Sequence, residues 1–363
     1  MKTNSYEDLK HIFSLETDYP NAGHRQIPIN KTTSRILKEA RAAAKGSTCY
    51  LCGKKCESFC NSHSIPQFTL ENIAENGKLV ETLQGELPLI KNTIGLNKTG
   101  TFNLICDNCD NTAFQDYENP SAYSTRPNDI MLAQISLKNC LQMISKRKVE
   151  IELYKIMEKR FDNFSDFLSE DTSIEERDLQ EYISKFQYAK ETISRSLSNR
   201  YYICFFKVLD YVVPFATQTM ICPIVDLEDN LLNNTFNLSD KYRLEHLQVA
   251  VFPLEKTSVI LLFVEDGVKR YRKFIKQLNK LDEEDQLATI NYMIFSYTEN
   301  VFLNVNTHKV AKENPAFMEV CRKTPMAECP YPSFDPLPAA MKVFSFLHRN
   351  TMPNLLSREF ALR

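Results

Sequence analysis

Glycine is scarce in this chain, with 8 residues in 363. Phosphate-cradling loops depend on glycine for close backbone approach, and neither G-x-x-x-x-G-K-S/T nor G-x-G-x-x-G occurs. Nucleotide hydrolysis of the P-loop type is set aside. Also missing are G-x-S-x-G and H-E-x-x-H, the marks of a serine-hydrolase elbow and a zinc protease helix. No run of about 18 apolar residues is present, so no membrane span is expected. Met1 to Lys10 is polar and charged and holds no apolar segment of the signal-peptide kind. These absences predict a cytoplasmic protein. Internal repeats and low-complexity tracts are lacking too. Charge of either sign is not in excess: the net of −2 argues against a surface coated for nucleic acid, while leaving room for a local basic patch.

What is present is ordinary globular material, 43% hydrophobic and 25% charged, in a chain long enough for two or three cores. Eleven cysteines in a chain with no export signal do not predict a disulfide framework. Clustered cysteines in a reducing compartment point to metal.

The cluster is specific. Cys49-x-x-Cys52 and Cys106-x-x-Cys109 are separated by 53 residues. Each Cys-x-x-Cys turn brings two thiolates onto one tetrahedral ion, and two turns close a four-thiolate site with no position left for water. The spacing predicts structural Zn²⁺ at Cys49, Cys52, Cys106 and Cys109, contributing folding free energy to a polar segment. Cys56 and Cys60 lie in the same run, CYLCGKKCESFC. They are free, partly buried thiols, or either replaces one of the four ligands or binds a second ion with His63.

The organisation reads as five parts. Residues 1–46 form an N-terminal helical extension whose helix, KTTSRILKEARAAAKG, is capped by Thr32 or Thr33 and stopped by Gly46. Residues 47–120 form the zinc module, with short strands at Lys78–Leu83 and Thr101–Ile105. Residues 121–199 are helical, Asp129–Arg160 and Ser173–Ser196, around an acidic stretch read as a solvated linker and helix start. Residues 200–304 form an α+β domain with apolar strands at Tyr201–Val208, Leu247–Leu254 and Ser258–Val264, then helices near Val268–Leu281 and Glu283–Val301. Residues 305–363 are a C-terminal extension with a helix near Pro338–His348. The fold class expected is α+β, with an antiparallel or mixed sheet. Lys31 to Cys60 carries seven basic and two acidic residues, an excess that suits a phosphate backbone or a solvated helix face. Asp226, Glu228 and Asp229 read as a polar turn more readily than an ion site.

Between the cysteine pairs lies Asn61-Ser62-His63-Ser64-Ile65-Pro66, and Asn103-Leu104-Ile105 leads into the second pair. This order resembles the zinc-knuckle branch of the HNH (ββα-metal, treble-clef) endonucleases. The resemblance implies that His63 is the general base, a role suited to an imidazole of ordinary pKa about 6.5. It implies that Asn103 holds the His-bearing hairpin, and that Asp110 or Asn111 holds a catalytic Mg²⁺ or Mn²⁺ through hard oxygen ligands, with Glu118 about two helical turns further on. It also implies DNA or RNA as substrate and a place in bacterial restriction or anti-phage defence. The sequence departs from the family at Ser62, where an Asp or His usually helps hold the metal, and in placing Asp110 ahead of Asn111. The alternative is a zinc-stabilised nucleic-acid or protein binding module without catalysis, with a protein partner or a second copy also open. His63-Ser64-Ile65-Pro66-Gln67-Phe68-Thr69-Leu70 further resembles the H-x-x-P-Q-F-x-L opening of an uncharacterised bacterial domain family. That likeness extends weakly through Pro214–Thr217, Phe252–Leu254 and Asn291–Leu303, and it implies one cooperating unit across residues 63–303.

Overall fold

The computed structural model describes residues 26–81, 93–160, 165–239, 241–321, 323 and 336–363. The chain opens on helix α1 (Gln26–Ala43), which begins ahead of Thr32 and Thr33 and ends just before Gly46. Strand β1 (Ser62–His63), helix α2 (Gln67–Ile73), strands β2 (Lys78–Glu81), β3 (Ile94–Gly95) and β4 (Thr101–Phe102) and helix α3 (Asp107–Ala113) make up the cysteine-bearing segment. Two long helices follow, α4 (Asp129–Arg160) and α5 (Ser165–Ser194), packed side by side. The last part contains β5 (Tyr201–Leu209), β6 (Phe215–Ile221), β7 (Leu247–Pro253), β8 (Ser258–Glu265), α6 (Arg272–Leu278), α7 (Glu283–Tyr297), β9 (Val301–Leu303), α8 (Val305–Ala311), α9 (Pro315–Cys321) and α10 (Pro336–Val343).

Seven of the strands form one antiparallel sheet in the order β3-β2-β9-β6-β7-β8-β5. The class is α+β. Side chains alternate across the sheet as period-two geometry requires. Val249, Val251, Ile260, Leu262 and Val264 enter a core with α6, α7 and α9. Ala250, Phe252, Val259, Leu261 and Phe263 enter a second core with Cys49, Ile65, Leu70, Phe114, Tyr117 and the α4 residues Leu137 and Leu141. Fully burying one such Leu or Phe contributes about 1.5–3 kcal/mol. The cysteine segment is tied to the sheet by backbone as well: Val80 of β2 pairs with Leu303 of β9.

Three expectations are corrected. Helix α5 begins at Ser165, ahead of the expected Ser173, and so takes in part of the stretch expected as linker; Glu175 and Asp178 pair with the buried Arg147 of α4 at 2.8 and 3.5 Å. The helix expected to run to Val301 stops at Tyr297. Val301-Phe302-Leu303, β-branched and aromatic, is a fully buried strand between β2 and β6. Residues after 305 are not peripheral, because Ala311, Phe317, Leu355 and Leu356 join the first core. Asp226 forms a closed polar turn, accepting from the backbone of Glu228 and Asn230 at 2.9 and 3.0 Å.

Candidate metal centre and its surroundings

The first Cys pair sits in a tight knuckle. The Cys49 amide donates to the Lys54 carbonyl and the Gly53 amide to that of Cys49, each at 2.8 Å. Gly53 closes the turn at φ +73°, where a side chain would be strained. The knuckle docks on the segment before the second pair: the Tyr50 amide reaches the Leu104 carbonyl at 3.0 Å, and the Cys60 amide that of Ile105 at 2.8 Å. Lys190 of α5 donates to the Leu51 carbonyl at 2.7 Å. The second pair straddles the start of α3, where Cys106 is the residue before the first helical turn. The knuckle, the antiparallel β1–β4 pair and helix α3 together carry the four cysteines.

This folding brings Cys49, Cys52, Cys106 and Cys109 together, with all four sulfurs within 4.8 Å of one another. Tetrahedral Zn–S bonds of about 2.3 Å place sulfurs about 3.8 Å apart, so modest closure suffices. The Cys106 amide donates to the Cys49 sulfur at 3.3 Å. Burial pushes the Cys49 thiol up, but the amides of Cys52 and Cys106 outweigh it and bring its pKa to about 7. Burial and the neighbouring sulfurs push Cys109 up. A cation among the four would reverse that, as metal displaces thiol protons. The four-cysteine site can hold a metal ion such as zinc.

The other expected residues do not join a second ion site. Among the described residues, no further group of three His, Cys, Asp or Glu side chains converges closely enough for a metal. His63 is half-buried, and its Nε2–H donates to the Leu96 carbonyl at 3.1 Å, which leaves the lone pair on Nδ1. Asn103 donates from Nδ2 to the Cys60 carbonyl at 2.9 Å and so ties the hairpin to the cysteine loop. Ser62 is fully buried beside the loop, on the opposite strand face from His63. Asn111 is exposed on α3, and its carbonyl accepts from Gln115 at 2.8 Å.

Asp110 and Glu118 do converge, but on a lysine. Lys138 of α4, its side chain 2% exposed, lies 3.0 Å from Asp110 and 3.2 Å from Glu118. Its ammonium also sits 3.7 Å from the centre of the Phe114 ring. Burial alone would raise the Asp110 carboxyl; the Lys138 charge outweighs it and holds the group below its ordinary range. Glu118 is not on α3, which stops at Ala113 as Phe114 turns into the core. Cys60 donates to Asp110 at 3.3 Å, and burial together with that carboxylate pushes its thiol up to about 12. Cys60 is not among the four converging cysteines.

Sequence reasoning missed Lys138, which lies 28 positions from Asp110 and carries no motif. It could not show that Arg35, Lys38, Arg41, Lys45, Lys54 and Lys55 all stay exposed, none of them in an ion pair among the described residues, although Arg41 acts electrostatically on Glu81. The composition of Lys31–Cys60 signalled the excess but not its exposure. No family model matches the chain, and no curated protein or solved structure is significantly similar to it. No described helix is long and apolar enough to cross a membrane.

Proposed function

We propose that this chain is a zinc-stabilised nucleic-acid-binding protein, with structural Zn²⁺ on Cys49, Cys52, Cys106 and Cys109 and a contact surface made by α1 and the knuckle. The observation that carries the reading is the run of exposed cations, Arg35 through Lys55, without an ion pair among the described residues and leading in sequence through Cys49 and Cys52 of the four-cysteine group. Surface lysines and arginines that need not break internal ion pairs are free to neutralise phosphates, and each phosphate contact releases counterions. The near-neutral whole chain then confines binding to this face. Elemental analysis should find about one zinc per chain. Fluorescence anisotropy with labelled DNA and RNA should give affinity that falls steeply with salt, with a log–log slope of about −4 if four to five phosphates are neutralised. Charge reversal at Lys38, Arg41 and Lys45 should flatten that slope. A salt-independent affinity, or none at low salt, counts against the proposal.

Phosphodiester hydrolysis of the HNH-like kind is the second reading. It is favoured by the anchored His63, whose Nδ1 is free to accept a proton, and by the Asn103 tie to its hairpin. Against it stands Lys138, which neutralises the carboxylates that a catalytic Mg²⁺ or Mn²⁺ would need. A plasmid- and RNA-nicking assay with either ion separates the readings: cleavage lost in His63→Ala supports hydrolysis, and binding without cleavage supports the first. A role in anti-phage defence belongs to this second reading alone.

A further inference from the structure

A cleft of about 620 Å³ opens between the end of α1 and the paired helices α4 and α5. Its volume falls within the ~300–1,000 Å³ range of small-molecule sites. Ala44, Ile151 and Leu179 give it apolar walls, and Lys148 and Arg177 give it charge. Lys148 has no carboxylate partner among the described residues, its only perturbation being burial, whereas Arg177 acts electrostatically on Glu181. Lys155 at the same cleft is already committed to Glu152 at 3.2 Å, while Glu176 is exposed at the rim. Lys148 rests on an aromatic ring instead: its ammonium is 4.7 Å from the centre of Tyr50, in the zinc knuckle. The end of α1 that lines the cleft at Ala43 and Ala44 also carries the exposed Arg41 and Lys45.

The position decides what fits. A half-buried ammonium with no counter-charge gains from an incoming anion more than an exposed one does, because less water competes for it. Base pairs inside a duplex cannot enter a pocket of this size between three helices. An unpaired nucleotide can, placing its base on apolar walls and its phosphate near Lys148 and Arg177, the combination that single-strand binders use. We propose that this cleft takes one unpaired nucleotide of a single-stranded nucleic acid whose flanking phosphates run along α1. The proposal rests on the nucleic-acid reading above and narrows its substrate class.

The test uses the full zinc-loaded chain with single-stranded DNA, single-stranded RNA and a blunt duplex of equal length. Tighter binding of a single strand than of duplex is expected. Lys148→Gln with Arg177→Gln should weaken single-strand binding at least about tenfold and leave duplex binding within twofold. A 5-iodouracil-labelled single strand should crosslink to Tyr50 or its cleft neighbours, a readout that does not depend on any variant folding. Equal binding of single strand and duplex, unchanged in the double variant, overturns the cleft assignment while sparing the basic face. Failure of wild type to bind any of the three at low salt overturns the nucleic-acid reading itself.

Discussion

Lys138 occupies the place where the family resemblance puts a catalytic cation. A buried ammonium held by two carboxylates and an aromatic face stabilises only as a complete set, since either partner alone is a desolvated charge. Lys138→Met should therefore cost about 3 kcal/mol in urea unfolding, toward the low side of buried-pair losses because Asp110 and Glu118 keep 20% and 35% exposure. Adding Asp110→Asn should recover part of that loss. Additive losses in the double variant would show that the pair is not coupled. His246 makes the opposite case. It is 5% exposed, and burial, with Lys185 and Arg147 nearby, holds its pKa well below the ordinary value. The unfolded chain then binds a proton near pH 6.5 that the folded one refuses, so this contribution to stability is intact above pH 6.5 and is lost as pH falls below it. His246→Gln should be less sensitive: its stability difference from wild type should shift in the variant's favour between pH 7.5 and 5.5. A difference that stays constant over that range removes His246 from the acid response.

Among the elements, α4 was legible to the residue and the strands β7 and β8 to within one residue at their ends, because the unbroken apolar runs of these strands leave little choice. The cysteine frame was legible from spacing alone. Strand β6 was not: no strand was expected there, and its polar residues Thr217, Gln218 and Thr219 are all buried at the sheet centre. Gln218 donates to Asn139 at 3.0 Å, which in turn donates to Gln248 at 2.8 Å, and such partners 79 and 109 positions apart leave no local pattern. Nor could the sequence show that α3 would end before Glu118, since that depends on Phe114 finding its pocket. If the four cysteines hold zinc as proposed, the knuckle is the element whose stability rests on metal. Cys109→Ser, or chelation, should speed amide exchange at Tyr50, Cys60 and Cys106, whose donors bond Leu104, Ile105 and Cys49. Amides in β7 and β8 should stay protected. Uniform loss of protection throughout would mean that the ion holds the entire fold rather than this element.

At the scale of the molecule, the second core decides whether the cysteine segment is a separate bead. Phe252, Val259, Leu261 and Phe263 on one sheet face are covered by Ile65, Leu70, Phe114, Tyr117 and the α4 side chains, all from earlier in the chain. Gly100, at φ +57°, brings the hairpin so close that a Cβ there would lie 2.4 Å from the Phe302 ring. Ser64 donates to Asn300 at 3.1 Å across 236 positions. A fragment of residues 200–363 would leave that sheet face in water and β9 without its β2 partner. Uncovered aromatic and branched side chains over such an area favour collapse and association rather than a unique fold. The fragment should bind a hydrophobic dye, resist no protease and show no cooperative thermal transition, whereas the full zinc-loaded chain should show one. Adding residues 26–199 in trans should restore protection to β7 and β8, since the missing surface is then supplied. A fragment that melts cooperatively by itself would instead place a true domain boundary at 200, and the zinc module's influence would end there.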